Sequence, residues 1–322
     1  MQEHRITHPI LIHGILPRSG TNYLNKLILK DSSCEQPRSR IRENWYLHYS
    51  GHLMSYFEEL FKMWSKPDWS GEAFSKEEFQ QALGDCILDF LSSQISSSQK
   101  RLVTKTPSVE QMINIDLLFP EVKNVIIVRN PLDVAASTFN SWRVPVDVTI
   151  SKWITGCEAI HSYEKKNGGS GYYLLRYEDL IADLPQYFAP CIEFLGLNPE
   201  AFDWDSIEKM PVYGSSDSGS KWEVNEKKEG FQAVGKWKNL PDSQNELLWK
   251  TYSETHAKYF GYSGFNQENE LFPLPDRAAR LEHGSHWEDI DRSTECPSEV
   301  IASSRKQDLK NGLKLVLKAL RP

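Results

Sequence analysis

Two arginines, each at the end of an apolar run and each followed by hydroxyl residues, are the side chains of this sequence best suited to hold an anion. The first lies in "PILIHGILPRSGTNYLNKLIL", residues 9–29, where Arg18 supplies a cation, Ser19 and Thr21 supply hydroxyls, and Gly20 lets the backbone approach an oxyanion. An apolar-periodic stretch follows at once, so the loop opens onto a helix N-terminus, whose unpartnered N–H groups and dipole favour negative charge. The second lies in "IIVRNPLDVAAST", residues 126–138, where Arg129 closes an apolar run and Ser137 follows on the next helix. Two such forks can grip two separate phosphates, and guanidinium suits forked recognition better than ammonium. Each segment alone also fits an ordinary strand-to-helix turn with a capping residue. Neither is a Walker A motif, because the GxxxxGK[ST] spacing is absent and no Lys follows Gly20.

The elements that must position these residues read as an alternation of strands and helices, the pattern of a mostly parallel sheet with helices on its faces. "PILIHGIL" predicts a buried strand and "NYLNKLIL" the helix after it. "HLMSYFEELFKMWS" (52–65) and "KEEFQQALGDCILDFLSSQI" (76–95) predict amphipathic helices, "RLVTK" (101–105) a short strand and "VKNVIIVR" (122–129) a longer one. "PLDVAASTFNSW" opens a helix with Pro131 at its first position, where the missing N–H costs nothing. "YYLLRYEDL" (172–180) predicts a strand ending in acidic residues, and "LPQYFAPCIEFLGL" a helix. From about Phe265 the chain turns polar and Pro-dotted, which predicts irregular structure, before "KQDLKNGLKLVLKALRP" regains helical spacing.

Composition narrows the function classes. With 322 residues, 39% of them hydrophobic, the chain can bury a full core as one α/β domain. A net charge of −7 argues against a non-specific nucleic-acid binder, so any anion site is local. The five Cys are odd in number, scattered and without CxxC spacing, which argues for neither a disulfide framework nor a zinc site and points to a reducing compartment. No apolar h-region opens the chain and no stretch reaches bilayer-spanning length, so the expectation is a cytoplasmic protein with no membrane or nucleic-acid partner.

The pair PRSGT and RNPLDVAAS resembles the 5′-phosphosulfate loop and the 3′-phosphate site of sulfotransferases that use 3′-phosphoadenosine 5′-phosphosulfate (PAPS). KTPS at 105–108, RYEDL at 176–180, YGSSDSGSKW at 213–222 and VGKWKN at 234–239 are similar to further segments of bacterial-type members, in the same order over roughly residues 9 to 262. The resemblance implies an α/β, P-loop NTPase-like sulfotransferase fold over residues 1–264, followed by an extension over 265–322. It implies that Arg18, Ser19, Gly20, Thr21 and Asn22 bind the 5′-phosphosulfate, that Arg129 and Ser137 bind the 3′-phosphate, and that Tyr23 and Tyr177 lie on the adenine side. Lys105 is implied near the transferred sulfuryl group, and the acceptor is expected to be a small molecule sulfated on a hydroxyl or amine. No metal is implied.

Departures from the family pattern leave two roles open. Cytosolic members carry a His after the KT pair as general base, whereas Pro107 stands here, so the base must come from elsewhere. A Glu after the first helix serves in several relatives; Glu43, in the aromatic-rich "RIRENWYLHYS", is preferred here, with Glu35 in reserve and His48 third. The RKG triplet that grips the 3′-phosphate in cytosolic members is replaced by "GFQAVGKWKN", which passes that contact to Lys236, Lys238 or the segment around Ser215 and Ser216. The competing readings are a P-loop-type kinase acting on a small molecule and a nucleotide-binding relative that has lost turnover. Against the first stands the lack of a Walker Lys and a Walker B partner for magnesium.

Overall fold

Strands with no polar alternation, such as Ile-Leu-Ile-His-Gly and Asn-Val-Ile-Ile-Val, must be covered on both faces. The computed structural model describes residues 8–38, 41, 43–64, 75–208, 210, 234–262, 277 and 280, and places five parallel strands among them in the order β2-β3-β1-β4-β5. These are β1 (Ile10–Gly14), β2 (Cys34–Glu35), β3 (Arg101–Thr106), β4 (Lys123–Val128) and β5 (Tyr172–Arg176). In register, Ile12 lies opposite Lys105 on one side and Val125 on the other, and Gly14 lies opposite Ile127. Successive strands therefore step to opposite sides of β1, and open parallel sheets take their ligands beyond the carboxyl ends at such a reversal.

Helix α1 (Thr21–Ile28) follows β1 and packs with α7 (Tyr177–Ala182) and α8 (Leu184–Leu195) on one sheet face, in a cluster of Ile10, Ile12, Leu24, Leu27, Val125, Ile127, Leu180, Phe188 and Ile192. A second cluster joins α5 (Pro131–Trp142), α6 (Val146–Asn167) and α10 (Asp242–Thr251) through Leu132, Ala135, Ile150 and Leu248, while the short α4 (Ile115–Leu118) precedes β4 and α9 (Trp204–Glu208) follows α8. Between β2 and β3 run α2 (Ser50–Trp64) and α3 (Lys76–Ser92); Ser75 and Glu78 close a capping box at the start of α3. No described helix is long and apolar enough to cross a membrane.

The strand expected over 172–180 stops at Arg176. There the guanidinium takes both oxygens of Asp179, at 2.8 and 2.6 Å, a spacing that a helical turn provides and a strand does not. Glu178 and Asp179 also fall in the first turn of α7, where the dipole favours acids.

The chain divides into two compact units, Met1–Leu281 and Glu282–Pro322. Arg280 of the first unit pairs with the buried Glu164 of α6 at 3.4 Å. The second unit, the helix expected over 306–322 and most of the irregular chain expected from Phe265 lie outside the described residues.

Candidate active site

The loop after β1 is shaped by two residues with left-handed backbone, Arg18 at φ 73 and Gly20 at φ 101. Gly20 caps α1 without a side chain, and a Cβ there would stand 2.5 Å from Cδ2 of Tyr177, so the loop backbone rests directly on that ring. Ser19 is fully buried, and its hydroxyl accepts the Leu16 N–H at 3.3 Å, closing the turn from inside. Thr21 is buried and Asn22 half-buried at the start of α1, while Tyr23 joins the core and meets Tyr177 edge-on at 6.1 Å.

Beyond β4 the second arginine reaches the same loop. Arg129 is buried, donates Nη1–H to the Arg18 carbonyl at 2.9 Å and lies 4.7 Å over the Tyr177 ring. Arg18 in turn donates Nε–H to the Ser137 hydroxyl at 3.0 Å and lies 5.5 Å over Trp142 at the end of α5. Burial, and secondarily the neighbouring Arg129 charge, lower the Arg18 guanidinium to about 10. Two cations held close in a partly desolvated place favour an anion between or beside them.

The Arg129 backbone is fixed from two sides. Trp153 of α6 donates Nε1–H to the Arg129 carbonyl at 3.1 Å, and Glu178 accepts the next N–H, that of Asn130, at 2.8 Å. The other Glu178 oxygen accepts the Tyr262 hydroxyl at 2.7 Å; burial raises the Glu178 carboxyl above its ordinary range. Asn130 caps α5 by accepting the Leu132 N–H, and Pro131 sits at the first position as expected.

On the other side of β1, Lys105 and Glu43 meet at 3.0 Å, with 6% and 27% of their side chains exposed. The neighbour of Glu43 pins it there. Asn44 donates its backbone N–H to the Lys105 carbonyl and Nδ2–H to Thr104, and accepts the Thr106 hydroxyl, at 3.0, 3.0 and 2.8 Å. The segment is thereby laid along the end of β3 with Trp45 at φ 50, and rings run outward from Trp45 through His48 to Tyr49. His48 Nδ1 lies 2.8 Å from the Ser108 hydroxyl and 3.4 Å from Glu110, and burial lowers its imidazole.

Glu35 is placed elsewhere. It lies on β2 opposite Leu102, three residues before Lys105 and toward the amino end of β3; Ser96 donates its backbone N–H and its hydroxyl to the carboxylate. Lys236 opens the 3-10 turn Lys236–Asn239, half-buried, and Ser216 lies outside the described residues.

The predicted residues thus form two groups that flank β1: Arg18, Arg129, Ser137, Tyr23 and Tyr177 toward β4, and Glu43 with Lys105 toward β3. Sequence reading missed the residues that hold them, namely Asn44, Trp142, Trp153 and Glu178. Asn44, Trp142 and Glu178 stand inside segments quoted above and carried a signal in that proximity, whereas Trp153 had none.

The family model described as "Sulfotransferase family" matches residues 9–201, more than half of the chain. Among solved structures, the sulfotransferase domain of the olefin synthase of Synechococcus PCC 7002 is 19% identical, with a TM-score of 0.46 over 78% of this chain and 97% of its own. The sulfotransferase domain from the curacin biosynthetic pathway is 16% identical, with a TM-score of 0.42 over 88% of this chain and 98% of its own. A mouse sulfotransferase complexed with PAP is 17% identical, with a TM-score of 0.40 over 76% and 83%. No curated protein matches the chain. The family match spans the ends of β1 and β4 and the Glu43–Lys105 pair, and the chain belongs to the sulfotransferase family.

Proposed function

We propose that the protein moves a sulfuryl group from PAPS to a hydroxyl or amine of a small-molecule acceptor, with Glu43 as general base. The observation that carries the reading is the pairing of Glu43 with Lys105 at the end of β3, across β1 from the apposed Arg18 and Arg129. A base and a cation on one side of the strand and a double anion grip on the other are the two halves that the transfer needs.

In this mechanism Arg129 and Ser137 hold the 3′-phosphate and Tyr177 supports Arg129 from below, with Tyr23 behind it on the adenine side. The N–H groups at the start of α1, with Thr21, Asn22 and Arg18, hold the 5′-phosphosulfate; Ser19 contributes by shaping the turn. Glu43 takes the acceptor proton as the acceptor oxygen or nitrogen attacks sulfur in line. The bond from sulfur to the bridging oxygen breaks, its electron pair stays on the departing nucleotide, and Lys105 and Arg18 neutralise the charge that grows there. Proton transfer to Glu43 releases Lys105 from its ion pair when the leaving group gains charge. Lys236 adds a cation toward the 3′-phosphate, in place of the triplet the chain lacks.

Incubation with sulfur-labelled PAPS and an acceptor library, read by mass, tests the reading. Label should pass to a hydroxyl- or amine-bearing acceptor, and Glu43→Gln should abolish most of that transfer without impairing nucleotide binding. Hydrolysis or retention of the label with every acceptor class would refute it.

A further inference from the structure

Asp133 is a completely buried carboxylate outside both anion grips, and it holds backbone from a distant part of the chain. It stands in the first turn of α5, four residues after Arg129 and four before Ser137. The Gly235 N–H donates to Oδ2 at 2.8 Å and the Trp237 N–H to Oδ1 at 3.3 Å. The residue between those two amides is Lys236.

The rest of the turn is equally fixed. Gly235 takes φ 82, a left-handed conformation that lets the chain double back onto the carboxylate. Trp237 packs on the cluster of Leu132, Ala135 and Ile150 and meets Trp249 edge-on at 5.6 Å. Burial is what chiefly raises the phenol of Tyr177, the ring under Arg129, and the nearby Asp133 charge adds to it, so the carboxylate and the proposed 3′-phosphate grip share one neighbourhood.

Resting on the PAPS reading above, we infer that Asp133 is a positioning residue: it mounts Lys236 on the helix that carries the 3′-phosphate grip, and so sets the preference for a 3′-phosphorylated nucleotide. Its two oxygens are occupied by amides, which limits the repulsion a bare carboxylate would exert on a phosphate. A negative residue is thereby the means of delivering a positive one.

The test is calorimetric titration of the full chain with adenosine 3′,5′-bisphosphate and, separately, adenosine 5′-phosphate. Asp133→Asn keeps the size but sets an NH2 group against an amide N–H; Lys236→Ala removes the delivered charge. Each should weaken bisphosphate binding by about tenfold or more and leave the monophosphate unchanged, and the double variant should be no worse than either. Gly235→Ala, strained at its positive φ but meeting no neighbour within 4 Å, displaces the same turn and carries the test where Asp133→Asn does not fold. Equal weakening of both nucleotides, additive losses in the double variant, or an inert Lys236→Ala would overturn the proposal while leaving the nucleotide reading intact. A wild-type chain that does not prefer the bisphosphate would overturn both.

Discussion

Replacing Gly20 by Ala places a methyl group where the loop rests on Tyr177. At φ 101 an L-residue is strained by about 1 kcal/mol. The new Cβ would also stand 2.5 Å from Cδ2 and 3.1 Å from Cε2 of Tyr177, and 3.2 Å from Cδ1 of Ile127, all in the packed core. Overpacking of that kind costs roughly 1 to 3 kcal/mol, so the sum is about 2 to 4 kcal/mol, or a melting point lower by roughly 3 to 7 °C in a domain of this size. Because the ring that must move lies under Arg129, nucleotide affinity should fall as well. Gly196→Ala is the internal control: Gly196 has φ 70 but no neighbour within 4 Å, so that variant suffers the backbone strain alone. Calorimetric melting of both variants, with nucleotide titration, makes the comparison. If Gly20→Ala melts no lower than Gly196→Ala, the loop does not lie on Tyr177 and the architecture given for the anion site is wrong.

Glu43→Gln should lower saturated turnover by about two to four orders of magnitude with nucleotide affinity unchanged, measured by steady-state kinetics, whereas Glu35→Gln should leave turnover intact. Arg129→Ala should cost roughly 1.5 to 3 kcal/mol of nucleotide binding and recover at high PAPS, while Arg18→Ala should stay slow at saturation; equal recovery of both would remove Arg18 from leaving-group stabilisation. Acid should destabilise the fold through His13, which is buried against Asn124 and lowered from 6.5 to about 4 chiefly by burial. The unfolded chain takes up that proton first, so stability present above pH 6.5 is lost as the pH falls toward 4, with a slope approaching about 1.4 kcal/mol per pH unit. Urea melts of wild type and His13→Gln across that range should show a shallower slope in the variant, and parallel slopes would contradict the assignment.

What was legible in the sequence follows from how local its cause is. The strands β1, β3 and β4 and the helices α1, α2, α3, α5 and α8 announce themselves by apolar period and, for α5, by Pro131 at its first position. Helix α6 did not. Its β-branched stretch Val146–Ile154 has no strong helical preference, and packing of Ile150, Trp153 and Ile160 decides the outcome. The two-residue strand β2 is too short for any period to be read. Within the site, the side chains that could bear charge stood out, because arginines at strand ends and a lysine after an apolar run are conspicuous. Their supports did not, because the Trp153 bond to Arg129 and the Asp133 bonds to Gly235 and Trp237 join residues 24, 102 and 104 positions apart. Nor did the sequence show that Ser19 turns inward or that Arg18 crosses to Ser137, since side-chain direction depends on the φ values of the loop.

If the paired arginines form a site for a 3′-phosphorylated adenine nucleotide used in sulfuryl transfer, differential melting with two ligands will reveal it. A ligand selective for the native state at a hundred times its dissociation constant adds about 2.7 kcal/mol of stability. The melting temperature should rise clearly with adenosine 3′,5′-bisphosphate and much less with ATP at the same concentration. Equal shifts from the two, or a larger one from ATP, would contradict that assignment.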